Sequence, residues 1–199
     1  FALRIDTIPD LLEVDIQNGF QWAAFAFPEG TPLHDFIAEH GPLSPTAGAL
    51  LLRAIGASLH EARSAGAHGL LQSNAIYVDA EGSLRHLLHF GITSLFEIGP
   101  EALLHCPPEL SKRSRYPGET ADIYSAAAIV WEAIAGNEPG ATSEPDPGRN
   151  ERLKQRFPNL RSVRPEVPEG LSRLLFEWTS RDEFERPPYW ALALIELEA

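Results

Sequence analysis

Several histidine side chains and one cysteine side chain in this sequence could act in catalysis or bind a metal. His68 and His89 could act as an acid–base couple or share a metal ion, because a neutral imidazole binds both protons and transition metals. Cys106 directly follows His105, a pairing that could generate a thiolate nucleophile. Neither pattern contains a recognisable third ligand or orienting group. Structural histidines and an inert buried thiol are therefore the simpler interpretation, and we predict no metal site.

The elements that position these histidines lie in residues 65–91, AGAHGLLQSNAIYVDAEGSLRHLLHFG. The stretch reads as a helix end, a loop, a strand, a turn at Ala80-Glu81-Gly82 and a second strand that ends on His89-Phe90-Gly91. Protein kinases have the same order around their catalytic residues: H-R-D-L-x-x-x-N, two short strands, then D-F-G. The chain resembles the C-terminal lobe of bacterial Ser/Thr protein kinases.

The alignment with this motif places uncharged residues where the family has catalytic ones. His68 takes the place of the motif's His, and four positions are degenerate: Leu70 at the catalytic Asp, Gln72 at the following Lys, Ala75 at the metal-binding Asn and His89 at the Asp of D-F-G. The hairpin is about one residue longer than usual, so Asn74 could take the Asn position instead of Ala75.

These substitutions remove groups that phosphoryl transfer needs. In the family, one Asp accepts the hydroxyl proton, while a second Asp and the Asn hold Mg²⁺ on the phosphates. Leu70 accepts no proton, and the neutral imidazole of His89 is a poor ligand for a hard cation. The resemblance therefore implies a pseudokinase that is no enzyme, with no catalytic residue, no metal and no cofactor.

Structural motifs of the family are present on the C-terminal side. Pro107-Pro108-Glu109 matches A-P-E, and the stretch from Asp182 to Pro187 resembles D-P-x-x-R-P with Arg186 as its Arg. The resemblance implies a partly buried ion pair between Glu109 and Arg186. A helix over residues 120–135 is apolar almost all round and is closed by Gly136, which predicts burial. Asp122 in its first turn would fasten the backbone of the catalytic loop.

The fold class predicted is α+β: a kinase-like, mainly helical C-lobe with a small β-hairpin remnant of the N-lobe. Residues 11–27 form two strand-like runs split by Asn18-Gly19, a strong hairpin signal. We assign residues 1–27 to the N-lobe remnant and 28–199 to the C-lobe of one domain. The hinge that would contact a nucleotide is Phe25, Ala26 and Phe27.

Further helices are predicted from periodicity and capping. They cover residues 33–40, residues 45–62 with Ser44 as N-cap, and residues 171–179 and 189–198, with a short charged helix over 151–157. The four tryptophans are assigned to the core. Residues 92–105 correspond to an activation segment, and residues 137–168 are a candidate protein-binding region.

Composition excludes several function classes. The 199 residues carry a net charge of −12 with scattered basic residues, which argues against nucleic-acid binding. No apolar run has the length of a membrane span, and the single cysteine excludes internal disulfides. A cytoplasmic location is expected. The sequence has no methionine and begins at Phe1, so we expect it to be a piece of a longer protein.

The function predicted is binding of an unknown protein partner by a catalytically inactive kinase-like domain, as a scaffold or regulator. The alternative is a divergent Ser/Thr protein kinase that binds ATP through an N-lobe not included in this sequence, with Asp79 or Glu81 replacing the lost acids. A helical interaction domain unrelated to kinases is a third possibility.

Overall fold

The structure is a computed structural model, and it describes residues 5–69, 71–90, 105–111, 118–136 and 156–198. Its strands are β1 (Leu11–Gln17), β2 (Phe20–Phe25), β3 (Thr31–Pro32), β4 (Ile76–Val78) and β5 (Leu84–Leu87). Its helices are α1 (Leu33–His40), α2 (Pro45–Ala62), α3 (Glu119–Ala135), α4 (Glu169–Trp178) and α5 (Trp190–Glu198). One small sheet precedes the helices, and a second combines β3 with β4 and β5, which follow α2. The rest of the described fold is mainly helical, so the predicted α+β class is confirmed.

The strands form one two-stranded and one three-stranded sheet. β1 and β2 pair antiparallel, with Gln17 opposite Phe20 and a register shift between Leu11 and Glu13. Asn18 and Gly19 both have positive φ, 54° and 82°, which is the conformation that a two-residue hairpin turn requires. β3, β4 and β5 form the second sheet in that order, also antiparallel.

Helix α3 lies at the centre of the helical lobe. From Ala121 to Ile134 all its side chains are buried except that of Glu132. α2 packs against it closely because Gly48 has no side chain: a Cβ there would lie 2.5 Å from Cδ1 of Ile134. Gly56 similarly admits the ring of Trp190, which belongs to α5. Small residues on α2 thus set the distance to two other helices.

Helix ends follow the predicted signals. The Ser44 hydroxyl accepts the Ala47 N–H at 3.1 Å and begins α2, while Gly136, at φ 84°, ends α3. Trp131, Trp178 and Trp190 are buried as predicted, whereas Trp22 on the hairpin is only partly buried. None of the helices in the described ranges combines the length and hydropathy that a membrane span requires.

Candidate functional site: the loop between α2 and β4

A buried carboxylate holds the loop that follows α2. Asp122, in the first turn of α3, accepts the backbone N–H of His68 at 2.7 Å and that of Gly69 at 2.8 Å, one on each carboxylate oxygen. Gly69 has φ 76°, a conformation that glycine adopts without strain. Burial raises the pKa of Asp122 to about 7, although the two N–H donors oppose this shift. The predicted attachment of the loop to α3 is present.

The side chain of His68 connects the same loop to the end of β5. Its Nε2 lies 2.8 Å from the carbonyl oxygen of Leu88, so Nε2 carries the proton and donates it. The ring is fully buried and meets the edge of Phe90 at a centroid distance of 5.7 Å. Burial lowers the pKa of His68 to about 4, which keeps the ring neutral near pH 7. His68 is therefore a structural histidine and no general base for a substrate.

His89 follows Leu88 in a left-handed conformation, with φ 66°. This conformation ends the strand at Leu87, two residues before the predicted end, because β-strands require negative φ. The half-buried ring lies edge-on to Phe25, with centroids 6.3 Å apart. Burial lowers the pKa of His89, so it offers a neutral imidazole.

A second attachment lies at the same, N-terminal end of α3, where Arg186 Nη1 also donates to the carbonyl oxygen of Thr120 at 3.2 Å. Arg186 donates from Nη1 and Nη2 to the two carboxylate oxygens of Glu109 at 2.7 and 2.9 Å, and from Nε to the carbonyl of Ser180 at 2.7 Å. Its side chain is fully buried, and that of Glu109 is 12% exposed. The ion pair predicted between these residues is therefore present and buried on the arginine side.

The comparisons with known proteins agree with this geometry. The chain is 26% identical over 188 residues to the serine/threonine-protein kinase PknE of Mycobacterium tuberculosis, covering 90% of this chain and 32% of that protein. It is 19% identical over 195 residues to the kinase PrkC of Bacillus subtilis, covering 93% and 30%. A crystal structure of Rad53 1-466 in complex with AMP-PNP superposes with a TM-score of 0.72 at 21% identity, covering 96% of this chain and 50% of that one. The chain is similar in sequence to bacterial serine/threonine protein kinases and has a protein-kinase-like fold. It spans about a third of the length of these curated relatives, and no family model matches it.

The similarity to kinases allows residues around the loop to be compared with the catalytic motif. Leu70, predicted at the catalytic Asp, lies outside the described residues. Ala75 is buried, accepts the N–H of Leu88 at 2.8 Å and donates to Gln72 at 3.0 Å, whereas Asn74 is exposed. Ala75 therefore holds the inner position next to β5, and no Asn side chain replaces it there.

The residues described here do not fit a magnesium site. His89 presents nitrogen in place of carboxylate oxygen and Ala75 has no polar side chain, while Mg²⁺ requires oxygen ligands. Within the described ranges, no group of three His, Cys, Asp or Glu side chains could hold a metal ion. Asp79, proposed above as a substitute acid, accepts the N–H groups of Glu81 and Ser83 in the β4–β5 turn.

The hinge assignment stays a prediction. Phe25 is partly buried against His89, and Phe27 is 95% exposed. The N–H of Ala26 is hydrogen-bonded to the carbonyl of Asp10 at 2.9 Å, so this donor is already used by the hairpin. Contact of these three residues with a nucleotide would have to use other backbone groups. The division into residues 1–27 and 28–199 also stays a prediction.

One prediction is corrected by the comparisons: that the chain is a pseudokinase and no enzyme. The curated relatives are named serine/threonine-protein kinases, which points to an enzyme. Four side chains, at Leu70, Gln72, Ala75 and His89, do not decide the activity of a protein of which this chain covers only part, because catalysis depends on all the charges positioned around the transferred group.

Sequence reasoning missed a contact that joins the segment before Pro107 to α3. His105 Nε2 lies 2.6 Å from a carboxylate oxygen of Glu132, and the carbonyl of His105 accepts the Ser125 hydroxyl at 2.7 Å. Glu132 is the lone acid in an otherwise apolar stretch of α3, a signal that could have identified it. Burial, followed by the nearby Glu109 charge, raises the pKa of Cys106 to about 11, so its thiol stays protonated at neutral pH. The inert-thiol interpretation fits this environment.

Proposed function

We propose that the protein containing this chain is a divergent serine/threonine protein kinase, in which this chain supplies the protein-binding C-terminal lobe. The observation that carries the proposal is the Asp122 carboxylate, which holds two successive N–H groups of the loop at 2.7 and 2.8 Å. A buried carboxylate is costly unless it is hydrogen-bonded, and here it fixes the loop that aligns with the catalytic loop of kinases. The names of the curated relatives support the same class of reaction.

The chemistry of the described positions sets the expected rate. Gln72, Ala75 and His89 supply neither a carboxylate nor a cation, so the charges for phosphoryl transfer come from other parts of the protein. Loss of one positioned acid–base or charge-stabilising group costs about 10²-fold or more in rate. We therefore expect transfer far slower than that of an ordinary kinase. Restoring one group, as in His89→Asp, should not restore an ordinary rate, because such groups act as a unit.

The test is phosphoryl transfer by the purified protein from radiolabelled ATP to a Ser/Thr peptide library, with Mg²⁺ and with Mn²⁺. Asp122→Ala releases the loop and should abolish transfer, whereas Glu177→Gln changes an exposed acid on α4 and should leave it unchanged. Both variants are first checked for folding by circular dichroism. Transfer that persists in a folded Asp122→Ala variant, or no transfer above the rate of a protein-free control, would refute the proposal.

A second candidate function is a scaffold or regulator that works by binding another protein. It is favoured by the contrast between Ala75 and His89, which lack magnesium ligands, and the intact attachment of Arg186 to Glu109. A thermal-shift titration separates the two functions. Stabilisation by ATP only in the presence of a divalent cation supports the kinase, and partner binding that is unchanged by nucleotide supports the scaffold. The candidate region 137–168 lies largely outside the described residues.

A further inference from the structure

The segment 105–111 is held to α3 by two separate groups of polar contacts. In the first group, the Glu109 carboxylate pairs with Arg186, which also binds a backbone carbonyl in the first turn of α3. The N–H of Leu110 donates to the carbonyl of Pro107 at 3.1 Å, so this part of the segment forms a closed turn. The side chain of Arg186 is fully buried. Release of Glu109 would leave a buried cation without its partner, which is costly, so this attachment is fixed.

The other attachment is at His105, the first residue of the segment. Its Nε2 lies 2.6 Å from Oε2 of Glu132, and its carbonyl accepts the Ser125 hydroxyl at 2.7 Å. The side chain of His105 is 2% exposed, whereas that of Glu132 is 21% exposed. The imidazole is therefore enclosed, but water reaches the carboxylate that holds it.

The partners of His105 keep their hydrogen bonds if His105 leaves α3. The Ser125 hydroxyl lies 2.7 Å from the carbonyl of His105 and also 3.0 Å from that of Ala121, four residues earlier in the helix. Because a hydroxyl has one proton, Ser125 can donate it to Ala121 alone, as serine commonly does in helices. The Glu132 carboxylate can be hydrated from its exposed side. The penalty for an unpaired buried group, which opposes release of Glu109, is therefore small at His105.

From these unequal attachments we propose that segment 105–111 is a conformational switch, in which the His105 end leaves α3 and returns while Glu109 stays paired with Arg186. Glu132 is the positioning residue of this switch: through its contact with His105 it sets the population of the closed state. His105 is the last residue of the stretch that aligns with an activation segment, so the switch determines where that stretch ends on α3. The inference goes beyond the proposed function and does not rest on it, because release can be measured without phosphoryl transfer.

Cys106 can report the state of the switch. It directly follows His105 and is the one cysteine of the 199 residues. Burial, followed by the nearby Glu109 charge, raises the pKa of its thiol to about 11, so very few thiols are ionised in the closed state. Release of His105 would bring the neighbouring thiol into water and its pKa toward the ordinary value of cysteine. Since the thiolate is the nucleophile, Cys106 should react faster in the open state.

The experiment measures the rate at which Cys106 of the whole chain reacts with an excess of a chromogenic aromatic disulfide, which releases a coloured thiolate when the thiol attacks it. The wild-type chain should react at least about 10-fold more slowly than the chain unfolded in urea, because opening is a minor state. Below the unfolding transition, its rate should depend little on urea, because local opening exposes little surface.

Substitutions then test the contact between Glu132 and His105. Glu132→Ala should raise the rate by about 10-fold or more, since hydrogen bonds to charged groups are among the strongest. The matched control, Glu177→Ala, removes an exposed acid of α4 and should change the rate by less than about 2-fold. Circular dichroism confirms that each variant folds.

A double-mutant cycle separates the contact from a direct effect of the Glu132 charge on the thiol. His105→Ala should also raise the rate. In the variant with both changes, the increase should be about 10-fold smaller than the product of the two single increases, because the shared contact is lost only once. A direct effect of charge on the thiol would multiply unchanged.

Three results would overturn the proposal. A wild-type rate that rises with urea at the full m-value of unfolding would show that Cys106 reacts only in unfolded molecules. Equal rates for Glu132→Ala and Glu177→Ala would show that Glu132 does not hold the segment. A double variant whose increase equals the product of the single increases would show that Glu132 and His105 do not act through one contact. If a variant fails to fold, the urea dependence of the wild type still decides whether the His105 end opens.

Discussion

Removal of the buried Arg186 guanidinium should destabilise this chain far more than removal of an exposed arginine. Arg186→Met deletes two hydrogen bonds to Glu109, one to Ser180 and one to the carbonyl of Thr120 at 3.2 Å. It also removes a cation 4.7 Å from the ring centroid of Tyr124. Within the described residues, this change removes the ion-pair partner of the mostly buried Glu109 carboxylate. Breaking a buried pair in this way costs about 3–5 kcal/mol.

The chain contains a matched control for this change. Arg173 and Glu177 on α4 form an i,i+4 pair at 4.0 Å with side chains 74% and 54% exposed. Exposed helix pairs of this type contribute about 0.3–0.5 kcal/mol, so Arg173→Met should have almost no effect. Both variants remove one guanidinium and introduce the same side chain, which isolates burial as the cause of the difference.

Urea unfolding followed by tryptophan fluorescence measures the two free energies of unfolding. The midpoint of Arg186→Met should fall sharply at an unchanged m-value, and the double change Arg186→Met, Glu109→Leu should recover part of the loss because no unpaired charge remains. If the free energy of unfolding of Arg186→Met lies within about 1 kcal/mol of that of Arg173→Met, the buried pair does not stabilise the lobe. If the double change costs the sum of its two single changes, the residues do not interact.

Three further predictions concern the helices and the loop. Gly48→Ala should lower the free energy of unfolding in urea by about 1–3 kcal/mol, because its Cβ would meet Ile134. Gly170→Ala, whose Cβ would meet no atom within 4 Å, should be neutral or stabilising. Equal effects of the two changes would contradict this packing. His89→Gly should be more stable than His89→Ala by about 1–2 kcal/mol, because only glycine adopts φ 66° without strain, and the reverse order would contradict this assignment. Asp122→Asn and His68→Gln should change the pH dependence of stability in opposite directions. Because the pKa of Asp122 is raised in the folded state, its contribution to the free energy of unfolding falls as pH rises from about 4 to about 7. Because the pKa of His68 is lowered, its contribution to the free energy of unfolding falls as pH drops from about 6.5 to about 4. Urea midpoints across this window should therefore show a wild-type profile flatter than that of either variant, and parallel profiles would contradict both assignments.

The elements that local sequence signals determine were predictable. The Asn18-Gly19 turn, the Ser44 cap and the Gly136 C-cap each depend on the conformational preference of one or two residues, and the structure has all three. The contact between Glu132 and His105 was not predictable in the same way. It joins residues 27 positions apart in sequence, and nothing local to either residue specifies the other.

The ambiguity between Asn74 and Ala75 shows where the motif alone was insufficient. The spacing of residues after His68 left both assignments possible, because a hairpin one residue longer shifts the pattern by one. In the structure the backbone carbonyl of Ala75 accepts the Leu88 N–H, and Asn74 lies at the surface. Which of the two takes the motif's Asn position stays a prediction. The position of a side chain relative to the loop is thus set by long-range pairing, which spacing does not encode.

Two sets of residues in this lobe contribute differently. Asp122 and Arg186 hold its segments together, whereas the residues at positions 75 and 89 align with catalytic positions of kinases. Asp122 binds backbone N–H groups more than 50 residues away in sequence, and Arg186 binds the carbonyl of Thr120, 66 residues away. Replacing either residue therefore leaves buried polar groups unpaired at a cost to the fold. The side chains at positions 75 and 89 carry no such obligation: Ala75 uses only its backbone, and His89 makes an edge contact with Phe25. A charged side chain at position 75 or 89 can therefore be replaced by an uncharged one while the contacts of Asp122 and Arg186 are kept. The fold and the rate of phosphoryl transfer are therefore determined by different residues of this lobe.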